Sequence, residues 1–147
     1  MKNTNTVAVA ASPARVFKLL NDSESLKQWI PNLIEDEVTE RTDAGVGMRF
    51  RQVYLQNGRK MPMEGEVIAY RKDKYLACEI RGDSFDLIVD YSLEPQGDGT
   101  LLTQNSEILF RSTPMKIMSV LVKPLIRKAM NKQEVEQFSK LKALAEA

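Results

Sequence analysis

Apolar and polar residues alternate with a period of two through the middle of the chain and take a helical spacing near both ends. Thr4 to Ala10 reads as a strand with Val7 and Val9 on one face. Ser12 then offers a helix N-cap, and Pro13 suits the first helical position, where its missing N–H costs nothing. Val16, Phe17, Leu19 and Leu20 form the apolar stripe of that helix. The run "NDSES" ends it and caps a second short helix carrying Leu26, Trp29 and Ile30, which Pro31 stops. Six strands follow in the pattern: Leu33 to Arg41, Met48 to Gln56, Met61 to Tyr70, Tyr75 to Arg81, Phe85 to Glu94 and Leu101 to Phe110. Asn57-Gly58 and "PQGDG" are hairpin and turn signals between them, so the strands read as an antiparallel meander. Ser112-Thr113-Pro114 repeats the logic of Ser12-Pro13 and opens a helix running from Met115 to about Ala145. Such a helix is roughly 45 Å long, and Pro124 predicts a kink within it. The layout is α+β, with helices on one face of an antiparallel sheet.

The alternation also sorts the strand faces. Phe85, Leu87, Val89, Tyr91 and Leu93 share one face, against a mostly polar set from Asp86 to Glu94. Leu76, Cys78 and Ile80 form the inward set of the preceding strand. Met48, Phe50, Gln52 and Tyr54 are placed inside because the opposite face carries Arg49 and Arg51, which are costly to bury. Met61, Met63, Gly65, Val67 and Ala69 are inward by the same argument against Glu64 and Glu66. In the last strand either Leu102, Gln104, Ser106, Ile108 and Phe110 or the alternate set with Thr103 and Asn105 can face inward. On the long helix Met118, Leu121, Val122, Leu125, Ile126, Ala129 and Met130 make one apolar face, continued by Val135, Phe138, Leu141 and Leu144.

Composition changes this picture mainly by exclusion. The chain has no histidine and one cysteine, Cys78. Ser-His-Asp and Cys-His nucleophiles, zinc sites built from Cys and His, and intramolecular disulfides are therefore excluded. Acidic residues are scattered, and the densest group, Glu35-Asp36-Glu37, reads as a solvated strand edge; no metal site is assigned. A net charge of +1 gives no field favouring nucleic acid. Lys116, Lys123, Arg127, Lys128 and Lys132 are read as a solvated helix face in preference to a membrane or acidic-partner contact. With no signal-peptide pattern and no spanning run, a cytoplasmic protein is expected.

Several stretches, taken in order, carry a resemblance. "AASPARVFKLLND" closes the first strand, "SLKQWIP" follows, "GVGMRF" and "GDGTLLT" lie in the meander, and "KPLIRKAM" and "FSKLKALAE" lie in the long helix. Together they resemble the START-like, or SRPBCC, superfamily, and within it the polyketide cyclase/dehydrase-like branch. The resemblance covers essentially the whole chain and rests on order and spacing, not on one strict motif. It implies a helix-grip fold in one domain over residues 1–147. In that fold a curved seven-stranded antiparallel sheet surrounds the long C-terminal helix, with two short helices between the first two strands closing one end. It also favours Gln104 and Ser106 as inward.

Inward methionines, aromatics and a few neutral polar groups suit either a solid core or the wall of a binding pocket; the resemblance favours the pocket. The ligand-binding candidates are Met48, Phe50, Gln52 and Tyr54 on one strand, and Met63, Gly65 and Val67 on the next. Cys78, then Leu87, Val89 and Tyr91, then Gln104 and Ser106 follow on later strands. Met118, Val122, Ile126 and Met130 on the helix complete the set. A strand glycine is unfavourable without a reason, and Gly65 is read as a bulge or as room left for a ligand. The leading function is binding or transport of a small apolar or amphipathic molecule, such as a lipid, polyketide or aromatic metabolite, with no cofactor. The alternative is a cyclase/dehydratase-type enzyme. Its acid–base candidates are Tyr54 and Tyr91, with Glu64 and Glu107 on the outward face. An adaptor acting through protein contacts is a third reading, and oligomeric state is open.

Overall fold

A computed structural model describes residues 1–147. The first strand, β1 (Lys2–Val9), passes almost directly into α1 (Pro13–Asn21). The Ser12 side chain accepts a hydrogen bond from the Arg15 N–H, as a helix cap should. Asp22 caps α2 (Ser23–Trp29) in the same way through Ser25. The meander consists of β2 (Leu33–Glu40), β3 (Arg49–Gln56), β4 (Arg59–Arg71), β5 (Tyr75–Arg81), β6 (Phe85–Gln96) and β7 (Gly99–Phe110). These strands form one seven-stranded antiparallel sheet in the order β1-β7-β6-β5-β4-β3-β2. The β3–β4 turn is the Asn57-Gly58 pair, with both residues left-handed at φ 50° and 77°, which is what a two-residue hairpin of matching twist demands. This is the helix-grip fold that the family resemblance implied, and it fills in the α+β layout read from the element order.

The strand faces fall largely as the alternation requires, but irregularities interrupt it in two strands: the β2–β3 register shifts between Leu33 and Glu35 and between Val38 and Glu40, and β4 carries a bulge. This bulge, between Val67 and Ala69, breaks the β4–β5 register. The extra residue, Ile68, is exposed, and the alternation reverses beyond it. Ala69 pairs with Ala77 and leaves the inward face on which the pattern placed it. Tyr70 pairs with Leu76 instead and packs edge-on against Phe17, ring centroids 5.4 Å apart.

The C-terminal segment differs more from expectation. It is two helices, α3 (Thr113–Leu121) and α4 (Lys123–Glu146), not one kinked helix. Val122, at φ −109° and ψ 20°, closes α3 through its N–H to Met118 O and leaves the helical conformation. Pro124 then sits in the first turn of α4, where a proline needs no donor. The long α4 crosses the concave face beside β1, α1 and α2. At its far end Phe138, Leu141 and Ala145 enter the core with Val16, Phe17 and Trp29, whereas Val135 is exposed. Arg15 locks this end by donating from Nε to Ala145 O at 2.6 Å, a cation on the carbonyl end of a helix. The buried Thr100 hydroxyl donates to Ala11 O at 2.7 Å and holds the strand-to-helix corner against β7. The corner thus folds α1 and α2 over one end of the space between sheet and α4.

Candidate functional site

Between the sheet and α4 lies a cavity of about 470 Å³. Its walls come from the inward faces of β3 to β7, from the start of α4, and from the α1–α2 corner with β2. Of the expected residues, Met48, Phe50, Gln52 and Tyr54 line it, as do Met63, Val67 and Cys78. So do Leu87, Val89 and Tyr91, Gln104 and Ser106, and Ile126 and Met130. The choice left open for β7 falls to Gln104 and Ser106. Thr103 and Asn105 turn to the other face, where they meet Thr6, Thr4 and Asp90.

Three expected residues stand elsewhere. Gly65 leaves no room, because Phe50 pairs directly across from it and lays its ring over the glycine. A Cβ built on Gly65 would lie 2.2 Å from that ring. The glycine therefore seats an aromatic side chain, and the ring, not the glycine, faces the cavity. Met118 is 58% exposed on α3, which the helix break carries away from the sheet. Val122 is the half-buried junction between the helices and does not reach the cavity.

Two acidic residues were missed as wall residues. Asp36 belongs to the cluster read as solvated, yet alternation along β2 sends Glu35 and Glu37 outward and Asp36 in, opposite Gln52. Period two counted from the buried Leu33 sends Glu35 and Glu37 inward instead, and the register shift between Leu33 and Glu35 reverses it. Burial raises the Asp36 carboxyl above the ordinary range, partly offset by the nearby polar side chains of Ser23 and Gln52 and the positive charge of Lys27, although none of these bonds its Oδ1. Glu134 is buried on α4 and lines the same cavity. Its carboxylate accepts from Asn3 Nδ2 at 2.5 Å, Asn5 Nδ2 at 2.9 Å and Ser106 Oγ at 2.5 Å. These bonds tie α4 to β1 and β7. No sequence signal singles out Glu134, because its partners lie more than a hundred residues away on β1 and 28 away on β7.

The remaining polar wall is neutral. Tyr54 donates to Gln52 Oε1 at 2.6 Å, and Gln104 Nε2 donates to the Tyr91 hydroxyl at 3.2 Å. Burial, with Asp36 and Cys78 as neighbours, pushes the Tyr54 phenol far above its ordinary value. Burial likewise raises Tyr91, with Cys78, Tyr54 and Glu134 adding to the effect. Both phenols therefore remain protonated at neutral pH and work as hydrogen-bonding groups, not as bases. Burial pushes the Cys78 thiol up to about 12, so it is no nucleophile. Glu64 is exposed on the outer side of β4, and Glu107 faces Lys2 across the outer side of β1–β7 at 3.8 Å.

A model of the family described as polyketide cyclase / dehydrase and lipid transport matches residues 1–146. Among curated proteins no match is found. Among solved structures, a START superfamily protein from Mycobacterium smegmatis is similar with a TM-score of 0.81 and 20% identity, covering 99% of this chain and 97% of that one. A Thermus thermophilus protein, TTHA0849, is similar with a TM-score of 0.77 and 22% identity, covering 97% of this chain and 95% of that one. The di-domain ARO/CYC StfQ from the steffimycin biosynthetic pathway is similar with a TM-score of 0.81 and 12% identity, covering 99% of this chain and 50% of that one. At these identities the structural likenesses establish the fold.

Proposed function

The chain belongs to the polyketide cyclase/dehydrase and lipid transport family, and from that premise we propose that it binds one small, largely apolar molecule between its sheet and α4. The observation that carries this reading is the cavity itself. Its volume is about 470 Å³, within the range of small-molecule sites, and 22 of its 33 lining residues are hydrophobic. Met48, Met61, Met63 and Met130 give this wall side chains that adapt to irregular shapes. A wall this apolar binds by removing ligand surface from water, and its few polar groups orient what enters.

A polarity-sensitive dye is expected to bind saturably with one-to-one stoichiometry. Leu87 lines the cavity and is only half-buried, so Leu87→Trp is expected to fill the space and abolish binding while the circular dichroism spectrum is retained. Absence of saturable binding across a broad apolar library would sink the proposal.

Asp36 carries a second reading, catalysis of the cyclase/dehydratase type. It is the cavity carboxyl whose pKa burial raises, the direction that favours a proton donor. Turnover of a poly-β-keto substrate that falls about 10²–10⁴-fold in Asp36→Asn, with substrate binding retained, is the result this reading requires.

A further inference from the structure

Three buried side-chain polar atoms in the molecule have no hydrogen-bond partner: Asn32 Oδ1, Asp36 Oδ1 and Gln104 Oε1. All three residues line the one cavity. Buried polar groups are costly to leave unpaired, so their convergence on one space needs a reason. All three atoms are acceptors. Asp36 remains an acceptor however the two amides turn. Gln104 is only 4% exposed, and its amide nitrogen is already engaged with Tyr91. Asn32 immediately precedes β2 and Asp36 lies on it, Gln104 lies on β7, and these strands stand toward opposite sides of the sheet. The space between them is therefore edged by unpaired acceptors on two sides.

The charges on the wall point the same way. Asp36 and Glu134 are its ionisable acids, and no lysine or arginine lines it. Glu134 already accepts three hydrogen bonds from Asn3, Asn5 and Ser106. A buried ligand carboxylate would meet two acidic side chains, two unpaired amide acceptors and no cation on the wall, with Lys27 outside the wall already acting on Asp36, an arrangement that opposes a second negative charge. A hydroxyl group would meet the acceptors with the donor they lack.

Resting on the ligand-binding reading above, we propose that the occupant is a neutral apolar molecule bearing hydroxyl donors, an alcohol or phenol, and that the site discriminates against carboxylate lipids of the same size. The β2 group, Asp36 with Asn32, takes one hydroxyl, and Gln104 takes another when the molecule carries it. Selectivity arises from matching acceptors with donors and from the missing cation. The apolar wall supplies affinity common to all ligands of similar shape.

The test uses the full chain at about pH 8, where an alkylphenol is neutral and an alkylbenzoic acid is ionised. Competition against a neutral polarity-sensitive dye is measured with 4-nonylphenol, 4-nonylbenzoate and nonylbenzene. The phenol is expected to bind at least about tenfold more tightly than either of the others, the effect of one well-made buried hydrogen bond. Asp36→Asn is expected to narrow the phenol–benzoate gap. Gln104→Leu is expected to weaken a two-hydroxyl analogue carrying a terminal alcohol more than it weakens nonylbenzene. If the benzoate binds as tightly as the phenol, the charge argument is overturned. If nonylbenzene binds as tightly as the phenol, the acceptors are satisfied without the ligand, and the donor argument is overturned. In both cases the cavity still binds apolar molecules and the broader reading stands. Failure of the dye and all three compounds to bind would overturn that reading, and this proposal with it.

Discussion

The two ends of the C-terminal helical segment are written in similar apolar residues and live in opposite surroundings. In the last turns of α4, Leu141 is fully buried and Phe138 and Ala145 nearly so, where the helix packs beside α1, α2 and β1. In α3 no side chain is buried, and Val120 and Leu121 are each 73% exposed. The difference lies in the counter-surface. The α1–α2 corner reaches the far end of α4 and is fastened there by Arg15. Opposite α3 there is only α4 itself and part of β7. An apolar stripe states that a helix can bury a face. A second apolar surface within reach decides whether it does.

The same contrast runs through the space under α4. One end is solid: Trp29 is fully buried, donates to Leu19 O at 2.8 Å and packs edge-on against Tyr91 at 6.3 Å. Beyond Tyr91 the inward faces of the strands part from α4 and leave the cavity. Trp29 itself is not part of the wall, whereas Tyr91, packed against it, is.

The largest test of this contrast is truncation at the packed end. Leu141→Ala is expected to cost about 2–5 kcal/mol in urea unfolding, the range for a large buried aliphatic side chain. An effect below about 0.5 kcal/mol would mean that the packed end is not packed. Next comes the wall between the two regimes. Gly65→Ala is expected to destabilise by about 1–3 kcal/mol, because its Cβ displaces the Phe50 ring. The displaced ring should turn into the cavity and weaken dye binding at the same time. A neutral effect on both would show that the ring is not seated on Gly65.

A smaller, pH-dependent effect belongs to the hollow end. Burial holds the folded-state Asp36 pKa above 3.8, so the folded chain takes up this proton more readily than the unfolded one. The stability tied to the protonated form is fully present below pH 3.8 and is lost as pH rises through the raised value. Asp36→Asn escapes that loss. Its melting temperature is expected to exceed that of the parent chain at pH 7, with the gap closing as pH falls toward about 4. A gap that widens on acidification would reverse the sign and remove the desolvation argument. The smallest effect is expected at α3, where Leu121→Ala should change stability by no more than about 0.5 kcal/mol. A cost comparable to that of Leu141→Ala would break the contrast.

Much of the fold was legible because it depends on short-range chemistry. Ser12-Pro13 and Ser112-Thr113-Pro114 cap and start helices through atoms a few residues apart. Asn57-Gly58 turns a hairpin through its own φ angles. Alternation placed most of the cavity wall on the correct face, since a strand has only two. The misreadings came where one local irregularity changed everything after it. The Ile68 bulge exchanged Ala69 for Tyr70, and the break at Val122 removed Met118 from the wall.

By itself the sequence determined the order of elements, most of their caps and turns, the inward faces of most strands, and the absence of histidine chemistry. These follow from backbone geometry, side-chain periodicity and composition, which act over a few residues or need no structure at all. Only the tertiary structure decided that Phe50 covers Gly65, that Asp36 turns into an apolar space, and that Glu134 meets Asn3, Asn5 and Ser106. It alone left three acceptors around that space unpaired. The physical reason is distance along the chain. Whether a polar side chain is solvated, paired or stranded depends on groups brought beside it from other elements, and neither periodicity nor composition carries that information.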